Sequence, residues 1–121
     1  MHWEGRVVKR SLARPGVEFV IARMTFGRRL DLMRQVRDLA ARLEYFEAGR
    51  DERQRMEASI LAGEIDTLYV RWGLEQVRGL EIDGAPADVE ALIDRGPEDL
   101  FIEALAAIRA ECGLTEAETK N

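Results

Sequence analysis

Residues 30–48 read LDLMRQVRDLAARLEYFEA, and this stretch decides the fold. Its largest apolar side chains recur at intervals of four and three residues, at Leu32, Val36, Leu39, Leu43 and Phe46. This spacing is typical of an amphipathic helix with a heptad-like seam, and we expect Met33 and Ala40 to widen it. Thr25 is a suitable N-cap, and Gly49 suits the position just after the helix.

A second helix is predicted from about Asp51 to Trp72. Its apolar side chains again follow helical spacing, at Ile60, Leu61, Ile65, Leu68, Tyr69 and Trp72. Because the link around Gly49 is very short, the two helices must run antiparallel. The sequence therefore predicts a helical hairpin over residues 28–72.

The segment 5–24 has the pattern of a β-hairpin. Val17, Phe19 and Ile21 alternate along one face of the returning strand, and β-branched residues are frequent. Pro15-Gly16 between the strands suits a type II turn. A further short strand is expected at 77–82, in a position to join the same sheet.

The remainder is predicted as C-terminal helices over 87–112, followed by a frayed tail at 114–121. Pro86 and Pro97 are expected at the starts of these two helices, where proline is favoured. Together the elements predict an α+β protein. Its 121 residues form a single domain in this interpretation, since domains commonly contain about 100–150 residues.

The charge is unevenly distributed along the chain. The net charge is −5, but residues 1–60 carry 13 Lys and Arg against 9 Asp and Glu, whereas residues 61–121 carry 5 against 14. A net negative charge disfavours a general nucleic-acid-coating role. Three interpretations are open: the arginine-rich first half pairs with the acidic second half inside the fold, both are solvated faces, or the first half forms a docking patch for a partner. Arg28, Arg29 and the N-terminal Trp3 are the expected contact residues of such a patch.

The composition argues against most kinds of catalytic site. The chain has one histidine, His2, and one cysteine, Cys112, which cannot form a disulfide or a zinc cage within the chain. It contains no glycine-rich phosphate loop. We therefore expect no catalytic, cofactor-binding or metal-binding residues, and a protein that is not an enzyme. The short apolar runs and the absence of a signal-like start predict neither membrane insertion nor secretion, so a cytoplasmic location is expected.

Several short motifs, in order, resemble a known group of proteins. They are MTFGRRL at 24–30, EYFEAG at 44–49, WGL at 72–74, GLEIDGAPA at 79–87, GPEDL at 96–100 and CGL at 112–114. Over about residues 5–121 the chain resembles small proteins from the tail-morphogenesis region of bacteriophages and prophages, often described as tail assembly chaperone-like.

The resemblance implies a non-enzymatic role in the cytoplasm of a bacterial host. Such a protein would hold the aggregation-prone tape-measure protein and present it to tail-tube subunits. A structural minor virion or head–tail connector component, present in the virion, fits nearly as well, and a regulatory or nucleic-acid-binding module is a third interpretation. The sequence leaves self-association into a homo-oligomer open.

Overall fold

The computed structural model describes residues 1–113, so the frayed tail predicted at 114–121 lies outside the described residues. Nine elements follow one another in the described residues 1–113. They are β1 Arg6–Arg10, β2 Glu18–Ala22, α1 Phe26–Glu47, α2 Glu52–Gly73, β3 Leu74–Arg78, β4 Glu81–Ile82, β5 Ala85–Pro86, α3 Val89–Arg95 and α4 Glu98–Glu111. Four helices with a small antiparallel sheet confirm the α+β fold class.

The chain divides into two compact units. The hairpin unit comprises Thr25–Tyr69, and the sheet unit comprises Met1–Met24 together with the chain from Val70 onward. Each unit is described separately below.

The hairpin unit consists of α1 and most of α2, which are joined by the four residues 48–51. The hydroxyl of Thr25 accepts a hydrogen bond from the backbone N–H of Arg28 at 3.2 Å, as expected of an N-cap. Asp51 and Gln54 form a capping box at the start of α2, because each side chain accepts a hydrogen bond from the other's backbone N–H.

The predicted seam of α1 is the best-shielded stripe of that helix. Leu32 is buried, and the four seam residues that follow it are half-buried. On α2, Leu61 and Ile65 are buried, whereas Ile60 is 49% exposed. The heptad spacing therefore identified the correct face of α1 but overestimated how deeply it is buried.

The sheet unit contains a three-stranded antiparallel sheet in the order β1-β2-β3. The turn before β2 has the predicted type II character, since the Val17 N–H donates to the Arg14 carbonyl and Gly16 has φ +95°. The central strand β2 is buried along most of its length. α4 packs against β2 and α3 against β3, so the core of this unit lies between the sheet and these two helices.

Two sequence predictions in the sheet unit are wrong in detail. The strand expected at 77–82 is split: β3 begins at Leu74 and ends before Gly79, whose φ of +77° turns the chain, and β4 pairs with β5 instead. Pro86 is not the first residue of a helix but part of β5. The following helix begins later because Asp88 is its N-cap, accepting the Ala91 N–H at 2.8 Å.

Candidate partner-binding surface

Arg28 and Arg29 lie in the first turn of α1, directly after the Thr25 cap. This turn contains no acidic residue. Two arginines therefore stand at the positive end of the helix dipole, where a cation is mildly unfavourable. Arg28 is half-buried and Arg29 is exposed. The helix dipole therefore does not account for arginine at these two positions.

An apolar stripe accompanies these arginines on α1. Phe26, Leu30 and Met33 follow one another at i, i+4 and i+7, so they share one helix face, and they are 81%, 38% and 60% exposed. Met33 follows the buried Leu32 and is rotated about 100° from it around the helix. The expectation that Met33 and Ala40 widen the buried seam is therefore wrong, since both are exposed. Met33 belongs to a second, exposed stripe, which we call the α1 stripe.

The surroundings of the α1 stripe are basic. Arg29, Arg34 and Arg37 each stand three or four residues from a member of the stripe, and all three are exposed. Between residues 26 and 37 the only acidic residue is Asp31, against four arginines, so this segment carries a net charge of +3. The α1 stripe is thus an apolar surface with a positive border, a combination that sequence periodicity alone did not reveal.

Trp3, the third predicted contact residue, belongs to the sheet unit rather than to the hairpin unit. Its side chain is 57% exposed, and the Arg23 guanidinium lies 5.9 Å from its ring centroid in a cation–π contact. Arg23 in turn lies 3.6 Å from a carboxylate oxygen of Glu111. Trp3 is therefore positioned by Arg23 while much of its ring stays accessible.

Within the sheet unit, arginines of the first half of the chain do pair with acids of the second half. Arg6 lies 3.3 Å from Glu75, and Arg14 lies 3.3 Å from Asp99. These pairs are largely exposed, so each contributes little to stability. The internal-pairing interpretation thus accounts for part of the arginine-rich segment.

A tighter ion pair joins the end of α2 to α3. Arg71 donates two hydrogen bonds to Glu90, at 2.6 and 2.9 Å. The hydrogen bond from Arg71 lowers the pKa of the Glu90 carboxyl, and the same bond raises the pKa of Arg71. This bidentate geometry positions α3 within the sheet unit.

The loop between β1 and β2 is held by a carboxylate from α4. Glu103 accepts hydrogen bonds from the Ser11 hydroxyl at 2.5 Å and from the Leu12 N–H at 2.7 Å, and Ala13 donates a longer one at 3.3 Å. Burial by itself raises the pKa of Glu103, but these donors outweigh it and leave the pKa below its usual value. The cluster is fully explained as a structural clamp on the loop.

The described residues also bear on metal binding, on the cysteine and on membrane insertion. In residues 1–113 no three His, Cys, Asp or Glu side chains are grouped so that they could hold a metal ion. Cys112 is buried at the end of α4. None of the helices described combines the length and the apolar character needed to cross a bilayer.

Comparison with known proteins identifies no relative: no family model, curated protein or solved structure matches the chain.

Proposed function

We propose that the protein is a non-enzymatic assembly factor of the phage tail chaperone type, which binds a helical tape-measure-like partner in the host cytoplasm. The observation that carries this proposal is the α1 stripe, in which Phe26, Leu30 and Met33 remain exposed beside a row of arginines. An amphipathic helix is recognised by apolar side chains at this spacing, because its own apolar face repeats every three or four residues.

The energetics suit a transient complex. Each large apolar side chain removed from water contributes about 1.5–3 kcal/mol, so a patch of three supports moderate affinity after the entropic cost of association. The arginines at the border add electrostatic steering, which mainly accelerates association. A chaperone must release its client during assembly, and a small apolar patch with a charged rim is compatible with such release.

Co-expression with a phage tape-measure protein tests the proposal. We expect the wild-type protein to keep the tape-measure protein soluble and to co-purify with it. The double variant Leu30→Ser/Met33→Ser should lose both effects while its thermal stability stays close to that of the wild type. Aggregation of the tape-measure protein whether or not the wild-type protein is present would overturn the proposal.

The composition of purified particles distinguishes the chaperone from a structural component. A chaperone acts before assembly is complete, so mass spectrometry of mature tails should not detect the protein at structural stoichiometry. A fixed number of copies in every particle would contradict the chaperone assignment and favour a minor virion component.

A further inference from the structure

Strand β1 forms one outer edge of the three-stranded sheet, since the strand order is β1-β2-β3. It pairs antiparallel with β2 in the register Arg6 opposite Ala22 through Arg10 opposite Glu18. The opposite edge of β1 has no neighbouring strand in the sheet of the described residues. An outer strand presents a row of backbone donors and acceptors that a further strand could use.

The register determines which residues offer these groups. The Arg23 N–H donates to the Gly5 carbonyl at 3.0 Å, and the Ser11 N–H donates to the Val17 carbonyl at 2.8 Å. Hydrogen-bonded and non-hydrogen-bonded positions alternate along an antiparallel pair. Odd-numbered residues of β1 therefore bond to β2, while Arg6, Val8 and Arg10 direct their N–H and C=O groups away from it.

This edge lacks the usual structural obstacles to strand addition. β1 contains no proline, and its register with β2 is continuous, whereas the irregularity in the sheet lies between β2 and β3. Four of its five residues are exposed, including Val8 at 45%. Within residues 1–113 the protection of this edge is charge, because Arg6, Lys9 and Arg10 make the strand strongly basic.

The positive charge of β1 determines which kind of strand can bind at this edge. A second copy paired antiparallel about Val8 would place Arg6 of one chain opposite Arg10 of the other, and like charges in opposite positions are destabilising. An acidic strand instead gains favourable pairs. Arg6 and Arg10 already lie 3.3 Å from Glu75 and 3.8 Å from Glu18. The two arginine side chains are nevertheless 66% and 88% exposed, so both guanidiniums remain accessible to an incoming carboxylate.

We infer that the β1 edge binds an extended acidic segment of a partner protein by strand addition. Backbone hydrogen bonds at Arg6, Val8 and Arg10 supply the affinity, and the basic side chains supply the selectivity. This site goes beyond the proposed binding of a helix, because β1 belongs to the sheet unit and the α1 stripe to the hairpin unit. Substitutions at the β1 edge therefore leave the α1 stripe able to bind, and substitutions in the α1 stripe leave the β1 edge able to bind.

Proline at position 8 tests the inference directly. Val8→Pro removes an N–H that points away from β2, so the β1–β2 hydrogen bonds stay intact, and proline is tolerated on edge strands. The probe is a labelled, end-blocked peptide of alternating Glu and Val, followed by fluorescence anisotropy. We expect the full-length wild type and the control Val8→Thr to bind it, and Val8→Pro to bind about tenfold more weakly or worse. Equal binding by Val8→Pro and Val8→Thr would overturn the inference.

Charge reversal provides a second test that does not depend on the proline variant folding. The wild type should discriminate against a matched peptide of alternating Lys and Val, and Arg6→Glu/Arg10→Glu should reverse that preference. Unchanged preference would contradict the inference.

The remaining possible occupants give distinct results. Dimerisation of the wild type that Val8→Pro abolishes would identify a second copy. A tenfold gain in peptide affinity after truncation at Gly113 would identify the chain's own acidic tail. Either result would overturn the assignment to a partner protein.

Leu30→Ser/Met33→Ser should bind the acidic peptide like the wild type, which separates this site from the helix-binding surface.

Discussion

The hydroxyl of Ser11 lies 2.5 Å from Oε1 of Glu103, and this contact joins residues 92 positions apart in the sequence. The same carboxylate accepts the backbone N–H groups of Leu12 and Ala13. Ser11 also accepts the Arg14 N–H at 2.9 Å. One side chain of α4 therefore fixes the loop that sets the β1–β2 register.

Glu103→Gln should destabilise the protein by about 1–3 kcal/mol, because an amide keeps one acceptor but aims an N–H₂ group at donors that need an acceptor. Urea unfolding measures the loss. The control is Glu81→Gln, which makes the same charge change at an exposed position. A Glu103→Gln midpoint equal to that of the control would show that the clamp contributes nothing.

The stability supplied by Glu103 should depend on pH. Its pKa in the folded state is below the ordinary value of 4.5, so the folded state favours the ionised carboxylate. The contribution is therefore complete above the unfolded-state pKa and disappears as the pH falls through the folded-state pKa. Melting temperatures of the wild type and Glu103→Gln should converge as the pH falls below about 4.5. A gap that widens in acid would contradict this sign.

Gly79 and Gly84 allow a matched test of turn geometry, since their φ angles are +77° and +83°. A Cβ at position 79 would collide with the carbonyl oxygen of Gly16, whereas a Cβ at position 84 would meet open space. Gly84→Ala should cost about 1–2 kcal/mol for its left-handed backbone. Gly79→Ala should cost a further ~1–3 kcal/mol for the collision. Equal losses in thermal or urea unfolding would show that the turn at Gly79 can move away from the carbonyl of Gly16.

Reversing Arg28 and Arg29 to glutamate distinguishes docking from internal pairing. If they face a partner, association with a tape-measure helix at low salt should slow by about tenfold and become less salt-dependent. The melting temperature should stay unchanged. Stopped-flow association and thermal unfolding on the same variant measure both effects, with Arg50→Glu/Arg53→Glu as the charge-matched control. Full binding with a clearly lower melting temperature would identify the two arginines as internal structure.

The sequence predicted the elements whose signals are local. The four-three spacing from Leu32 to Phe46 identified α1 and its seam, and Pro15-Gly16 identified the turn before β2. Periodicity gives the direction of a face but not the depth of its burial, because burial depends on what packs there. Helical spacing therefore places Met33 beside the seam, whereas the structure leaves it 60% exposed.

Features that depend on distant contacts were not predictable in this way. No local pattern links Ser11 to Glu103, since their contact exists only after α4 packs on the sheet. The split between β3 and β4 depends on the positive φ of Gly79. The sequence alone does not distinguish a glycine with positive φ from an ordinary glycine within a strand. The α1 stripe is defined by the exposure of Phe26, Leu30 and Met33, and helical spacing does not determine exposure.

The affinity of a purified tape-measure helix for two paired variants tests the central claim most directly. Leu30→Ser/Met33→Ser removes apolar side chains from the α1 stripe, and Met56→Ser/Ile60→Ser removes exposed ones from α2. Helix binding through the α1 stripe predicts at least about a tenfold loss of affinity for the first variant and little change for the second, by titration calorimetry. Wild-type affinity in a correctly folded Leu30→Ser/Met33→Ser variant would contradict it.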